Sequence, residues 1–149
     1  MNKKLLHKTS RAYLIYSVLI LIISAPIFYY STERLYIKEA DDTLLLHKKE
    51  FLNYSASTLK YEDISVWNRF NRNAKIDSLK QVTKDTLFFS SYYDTFDAEI
   101  EPYRELNFPI SILGKPYTYS ERINLVETED LLKNIAILFF AIISILLFG

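Results

Sequence analysis

The sequence has 149 residues, half of them hydrophobic and 24% charged, with 18 basic and 18 acidic side chains, two glycines and no cysteine. That length allows one folded domain, the apolar content and balanced charge exclude a disordered chain, and the lack of a basic excess argues against a nucleic-acid partner. Without cysteine there is no disulfide framework, thiolate zinc site or cysteine nucleophile, and Gly114 and Gly149 cannot build a phosphate-cradling loop.

In chain order, residues 1–11 read as a basic tail carrying Lys3, Lys4, Lys8 and Arg11. Residues 12–30 hold no charge over 19 positions, which at about 1.5 Å rise per residue nearly spans a roughly 30 Å apolar slab. Tyr13 and Tyr16 mark one end and Tyr29 and Tyr30 the other, as interfacial rings do. A cleaved signal peptide is the rival reading. The run is longer than a usual signal core, and the best small-residue site, Ser24-Ala25, has Ile23 before it and Pro26 after it, so an uncleaved anchor is expected. All 18 acidic residues fall between Glu33 and Asp130, against 14 basic ones in residues 31–133. The positive-inside rule therefore predicts a cytoplasmic N-terminus and an extracytoplasmic segment over 31–133. Residues 134–149 form a second apolar run, slightly short of a full span and without a charged flank, so a truncated second transmembrane helix with further chain beyond Gly149 is expected.

Between the anchors, Ser31 to Lys60 keeps a helical pattern, with Leu35, Ile37, Leu44, Leu45, Phe51 and Leu52 separated by charges and no Pro or Gly. The first transmembrane helix is expected to run on as a long amphipathic helix whose apolar stripe needs a partner, either the domain's own sheet or a second subunit. Asp63 to Phe70 predicts a short helix with Ile64, Trp67 and Phe70 inward, and Asn71-Arg72-Asn73 a turn. Strands are predicted over Ala74–Leu79, Thr86–Tyr93, Tyr103–Leu113 and Tyr117–Leu125, the last two joined by a turn at Leu113-Gly114-Lys115-Pro116. Leu106, Phe108, Ile110 and Ile112 alternate on one face, as do Tyr117, Tyr119 and Ile123. Pro109 argues that its strand is an edge or carries a bulge. Thr128, followed by Glu129 and Asp130, reads as the N-cap of the second membrane helix. The expected fold is α+β: two transmembrane helices flanking a small PAS-like domain with a long N-terminal helix and about four antiparallel strands, the PAS name being analogy.

No catalytic set is legible. His7 and His47 read as solvated side chains, and no HExxH or GxSxG pattern occurs. Asp94, Asp97, Glu99 and Glu101 read as one acidic loop that either is simply solvated or supplies oxygen ligands to a hard cation, though without EF-hand spacing. Tyr92, Tyr93 and Tyr103 with Arg104 are the candidate ligand-binding set, since aromatic faces and a guanidinium can stack and hydrogen-bond an organic molecule. The same aromatic residues at strand spacing also suit a sheet core. Asn53-Tyr54-Ser55 fits a glycosylation acceptor, which has meaning only in a eukaryotic secretory context.

The stretches MNKKLL, KTSRAYLIYS, TERLY, ADDTLLLHKKEF, VWNRFNR, YYDTFDAEIEPYRELNFPI and GKPYTYSERINLVETEDLL, in this order and followed by an apolar run, resemble the N-terminal region of membrane sensor histidine kinases of two-component systems, notably those of the Bacteroidota. The likeness spans nearly the whole chain and lies in order and texture. It implies a sensor half in the bacterial inner membrane, with a periplasmic domain, an unknown periplasmic ligand and a homodimeric state. It also implies a cytoplasmic kinase core beyond Gly149 that would use ATP and Mg and pass phosphate to a response regulator. No residue of this chain inherits a catalytic role, and no cofactor is expected within it. The last strand would pass movement to the second anchor through Leu125, Val126 and Glu127, which hold no glycine to absorb it. A non-enzymatic two-anchor scaffold, the input half of another receptor type, and a membrane-anchored external enzyme are the competing readings, the last weakest.

Overall fold

The computed structural model describes residues 3–78 and 81–148, so Leu79, at the end of the predicted first strand, and Gly149 lie outside the described residues. Its elements are α1 (Lys3–Glu50), α2 (Asp63–Phe70), β1 (Ala74–Asp77), β2 (Thr86–Asp94), β3 (Glu99–Ile112), β4 (Lys115–Asn124) and α3 (Val126–Phe148). The fold is α+β, with a long N-terminal helix, a four-stranded antiparallel sheet and a C-terminal helix. The chain divides into two compact units, one formed by the end segments up to Leu35 and from Thr128, the other by Tyr36–Glu127.

In the first unit, α1 and α3 each contain a stretch long and apolar enough to cross a membrane, with mean hydropathy of 2.1 and 2.5. Phe28 of α1 packs on Phe139 of α3 with ring centroids 5.8 Å apart. Most other large apolar side chains here are exposed, among them Ile20, Ile23 and Ile27 on α1 and Leu138, Phe140 and Ile145 on α3. Helices apolar on every side need a nonaqueous surrounding or further protein. Helix α3 begins at Val126, two residues before the expected cap at Thr128. The Asn124 side chain accepts a hydrogen bond from the Val126 N–H at 2.7 Å and so satisfies an end group that Thr128 cannot reach.

In the second unit the strands are ordered β1-β4-β3-β2. Pairing of Phe108 with Tyr119, of Tyr119 with Ile76 and of Leu106 with Leu87 puts these side chains on one face, because directly opposed residues share a side. The end of α1 covers that face with Leu44, which is fully buried. After Glu50 the helix widens into a π-turn, Phe51–Ser55, where the Ala56 N–H reaches back to the Phe51 carbonyl at 2.9 Å. Phe51 meets Tyr119 at 4.2 Å, Trp67 at 5.4 Å and Phe108 at 6.4 Å between ring centroids.

Helix α2 has the expected bounds, and Ile64 and Trp67 pack on the core. Phe70 does not: it is 78% exposed. The i+4 position of the inward stripe is Asn68, whose side-chain amide bonds both the carbonyl and the N–H of Ile76, at 2.9 and 2.8 Å, and so ties α2 to β1. Phe70, six residues after Ile64, falls beyond that stripe.

Strand β3 is interior, contrary to the edge expected from Pro109, and no bulge is needed to explain it. Pairing with β2 ends at Asn107, so Pro109 lies past the end of β2 and faces only Thr118 of β4. A missing N–H costs nothing on that open side. The hairpin from β3 to β4 turns through Leu113 and Gly114, both left-handed with φ of +50° and +82°. A turn with two positive φ values suits Asn-Gly, whereas leucine is strained there. Leu113 is exposed, so its side chain gives little in return. Replacing Leu113 by Asn is expected to raise stability by about 0.5–1 kcal/mol, read from the shift of the urea midpoint.

Candidate functional site

The four residues expected to bind a ligand do not converge. Tyr92 and Tyr103 share the polar face of the sheet, with ring centroids 5.6 Å apart. Tyr93 and Arg104 have the opposite parity and lie on the helix-covered side. There Arg104 makes two bonds to the Asp41 carboxylate, at 2.6 and 3.1 Å, and stacks 4.4 Å over the Phe89 ring. The guanidinium beside the two tyrosines is that of Arg122, 4.3 Å from the Tyr92 centroid and 4.4 Å from that of Tyr103. Tyr92 donates its hydroxyl to Glu105 at 2.5 Å, and burial followed by that carboxylate pushes the phenol above its usual range. The sequence reading missed Arg122, although its parity, opposite to that of Tyr119, carries the signal.

Of the acidic residues, Asp94, Asp97 and Glu101 come together, each offering an oxygen within 4.8 Å of the others. Glu99 does not join them. The expected loop is also shorter: Glu99 and Glu101 belong to β3, and only residues 95–98 turn the chain. Asp94 pairs with Glu99 across the hairpin, and Ala98 takes the positive φ, 54°, that closes it. The Phe96 N–H, with help from the Asp97 N–H and Arg72, holds the Asp94 carboxyl below the usual range. The neighbouring Asp97 carboxyl and burial push Glu101 above it, against an opposing bond from Asn124.

A cleft of about 480 Å³ is bordered by the end of α1, the π-turn, α2 and β4. Its walls are Phe51, Tyr54, Trp67 and Tyr119, and its polar groups include His47, Glu50 and Glu121. Apolar walls with a few convergent polar groups are the usual form of a small-molecule site. His47, expected to be solvated, instead lies with Nδ1 3.1 Å from Glu121 Oε2. Tyr119 donates its hydroxyl to Glu121 Oε1 at 3.4 Å, and the Trp67 indole N–H is buried without a partner. One imidazole, two carboxylates and aromatic faces can recognise a ligand by charge and stacking.

Burial pushes the Glu121 carboxyl above its ordinary 4.5, although His47 and Tyr119 pull it back, and burial with the nearby Glu121 charge raises the Tyr119 phenol. An acid raised on folding binds its proton more tightly in the folded state. Its contribution to stability is therefore greatest below pH 4.5 and declines as pH rises through its folded value. Glu121→Gln is expected to remove that decline. The check is the difference between the two unfolding free energies across pH 4–7, where wild type should lose ground to the variant as pH rises.

A family model described as a domain of unknown function, DUF8486, matches residues 6–148. The chain belongs to that family. The DUF8486 match runs from α1 to α3, so the family comprises the two apolar helices together with the α+β unit. No curated protein and no solved structure matches the chain.

Proposed function

We propose that this DUF8486 chain is the signal-input region of a membrane sensor histidine kinase, whose cytoplasmic core follows α3 and uses ATP and Mg. The reading has α1 and α3 crossing a bacterial inner membrane with the N-terminus cytoplasmic. The unit over Tyr36–Glu127 is then a PAS-like periplasmic domain, working as a homodimer and signalling to a response regulator.

One observation carries the reading. The cleft is walled by the two elements that lead directly into the apolar helices. His47 and Glu50 belong to α1, and Tyr119 and Glu121 to β4, with only Leu125 between β4 and α3. A ligand that binds one arrangement of these walls better shifts the population toward it, and the shift reaches both helices through continuous backbone. Displacements of roughly 1–2 Å are a familiar switching repertoire. The basic N-terminal tail and acidic middle segment support the orientation.

The test is to express the complete reading frame in membranes and supply labelled ATP. Acid-labile phosphate on a histidine beyond Gly149 is the expected result. A frame ending a few residues later, or membranes that incorporate no phosphate, would favour the two-anchor scaffold. Trp67 is the sole tryptophan and lines the cleft, so its emission reports occupancy directly and suits a ligand screen.

A further inference from the structure

The hairpin between β2 and β3 holds a second arrangement, outside the cleft. Asp94 is at the end of β2, Asp97 in the turn and Glu101 on β3, two pairs inward from the closing Asp94–Glu99 pair. Three bonds hold the Asp94 carboxylate and leave Oδ2 a free lone pair: Oδ1 accepts from the N–H groups of Phe96 and Asp97 at 2.7 and 3.4 Å, and Oδ2 accepts from Arg72 at 2.6 Å. These bonds fix its position. Glu101 is 2% exposed, and its Oε2 accepts from the Asn124 side-chain amide. Its Oε1 is buried with no hydrogen-bond partner. A buried carboxylate oxygen without a donor is costly, and a bound cation removes that cost.

We infer that Asp94, Asp97 and Glu101 form a calcium-binding site. Among the described residues, the ion pair made by these three carboxylates is that of Asp94 with Arg72, whose side chain is half exposed. Oxygens that all lie within 4.8 Å of one another can meet a single ion. Calcium accepts carboxylates in a flexible geometry, which suits ligands drawn from a strand end, a turn and a buried strand position, whereas magnesium demands a near-ideal octahedron. Water and backbone carbonyls complete the six to eight oxygens calcium takes. The nearby guanidinium opposes a second cation, so affinity falls in the weak range of about 10⁻⁴–10⁻³ M. This binding does not depend on the receptor reading, since the ligands all belong to this chain.

The experiment is calorimetric titration of the full chain, in detergent micelles and stripped of metal, with calcium chloride and separately with magnesium chloride. One saturable calcium event per chain is expected, with weaker magnesium binding. Asp97→Asn and Glu101→Gln should each weaken calcium by about tenfold or more, since ligand charge count sets affinity. Glu99→Gln should leave it unchanged, and Arg72→Gln should tighten it by removing the competing charge. Asp97 is exposed, so its variant remains informative if Glu101→Gln fails to fold. The proposal is overturned by a calcium titration without saturation to about 10 mM, ten times the weak end of that range. It is equally overturned if Asp97→Asn, with wild-type circular dichroism, binds calcium as wild type does.

Discussion

Phe51→Ala is expected to destabilise the α+β unit by about 3–5 kcal/mol, the cost of emptying a large buried aromatic site. Phe51 is 4% exposed and joins rings from three other elements: Trp67 of α2, Phe108 of β3 and Tyr119 of β4. Aromatic pairs add about 0.5–1.5 kcal/mol each beyond area burial, so the loss lies toward the upper end. The surrounding groups cannot collapse easily into the space. The π-turn fixes the backbone at Phe51, and the opposing rings sit on hydrogen-bonded strands. For a unit of this size each kcal/mol shifts Tm by about 4–8 °C, so a fall of at least about 12 °C is expected. Tyr54→Ala is the control, being on the same turn but 77% exposed, and should change stability by less than about 0.5 kcal/mol. Circular dichroism and Trp67 emission during heating measure both. Equal shifts for the two variants would remove Phe51 from its central role.

What the sequence made legible was periodic and local. Asp63–Phe70 forms a helix within the expected bounds, and Leu106, Phe108, Ile110 and Ile112 all turn inward, because one buried face imposes a period of two. The two apolar runs stand out by hydropathy alone. Pairings across the fold were not legible. His47 and Glu121 are 74 residues apart, and Asp41 and Arg104 are 63 apart. Both meetings depend on the strand order and on α1 covering one face, which no local period encodes. The tyrosine set illustrates the same limit. Tyr92, Tyr93, Tyr103 and Arg104 are close in sequence, yet parity sends two to each face and brings in Arg122 from β4. The acidic residues were nearer to legible because a hairpin keeps its own neighbours together. Only the hairpin's register, with Asp94 opposite Glu99, separates Glu101 from Glu99 in role.

Arg104→Ala is expected to cost about 3 kcal/mol, which a ligand-binding arginine at an open site would not. The guanidinium and the Asp41 carboxylate form two parallel bonds, and the side chains are only 13% and 23% exposed. Removing the cation leaves a largely desolvated carboxylate on α1 without its partner, and that residual charge accounts for most of the cost. Arg104→Lys keeps the charge but loses the planar fork, so a smaller loss of about 1 kcal/mol is expected. The decisive comparison is the double variant Asp41→Asn/Arg104→Ala. Neutralising the stranded carboxylate should recover part of the stability, giving a double-mutant coupling of at least about 1 kcal/mol in urea unfolding. Additive losses would mean that Arg104 acts mainly through its stacking on Phe89. The pair fastens α1 to strand β3, whereas His47 and Glu121 join α1 to β4 through a half-exposed imidazole. Because the Asp41–Arg104 pair ties α1 to the sheet, variants there should alter any response to cleft ligands more than variants at the exposed Tyr93.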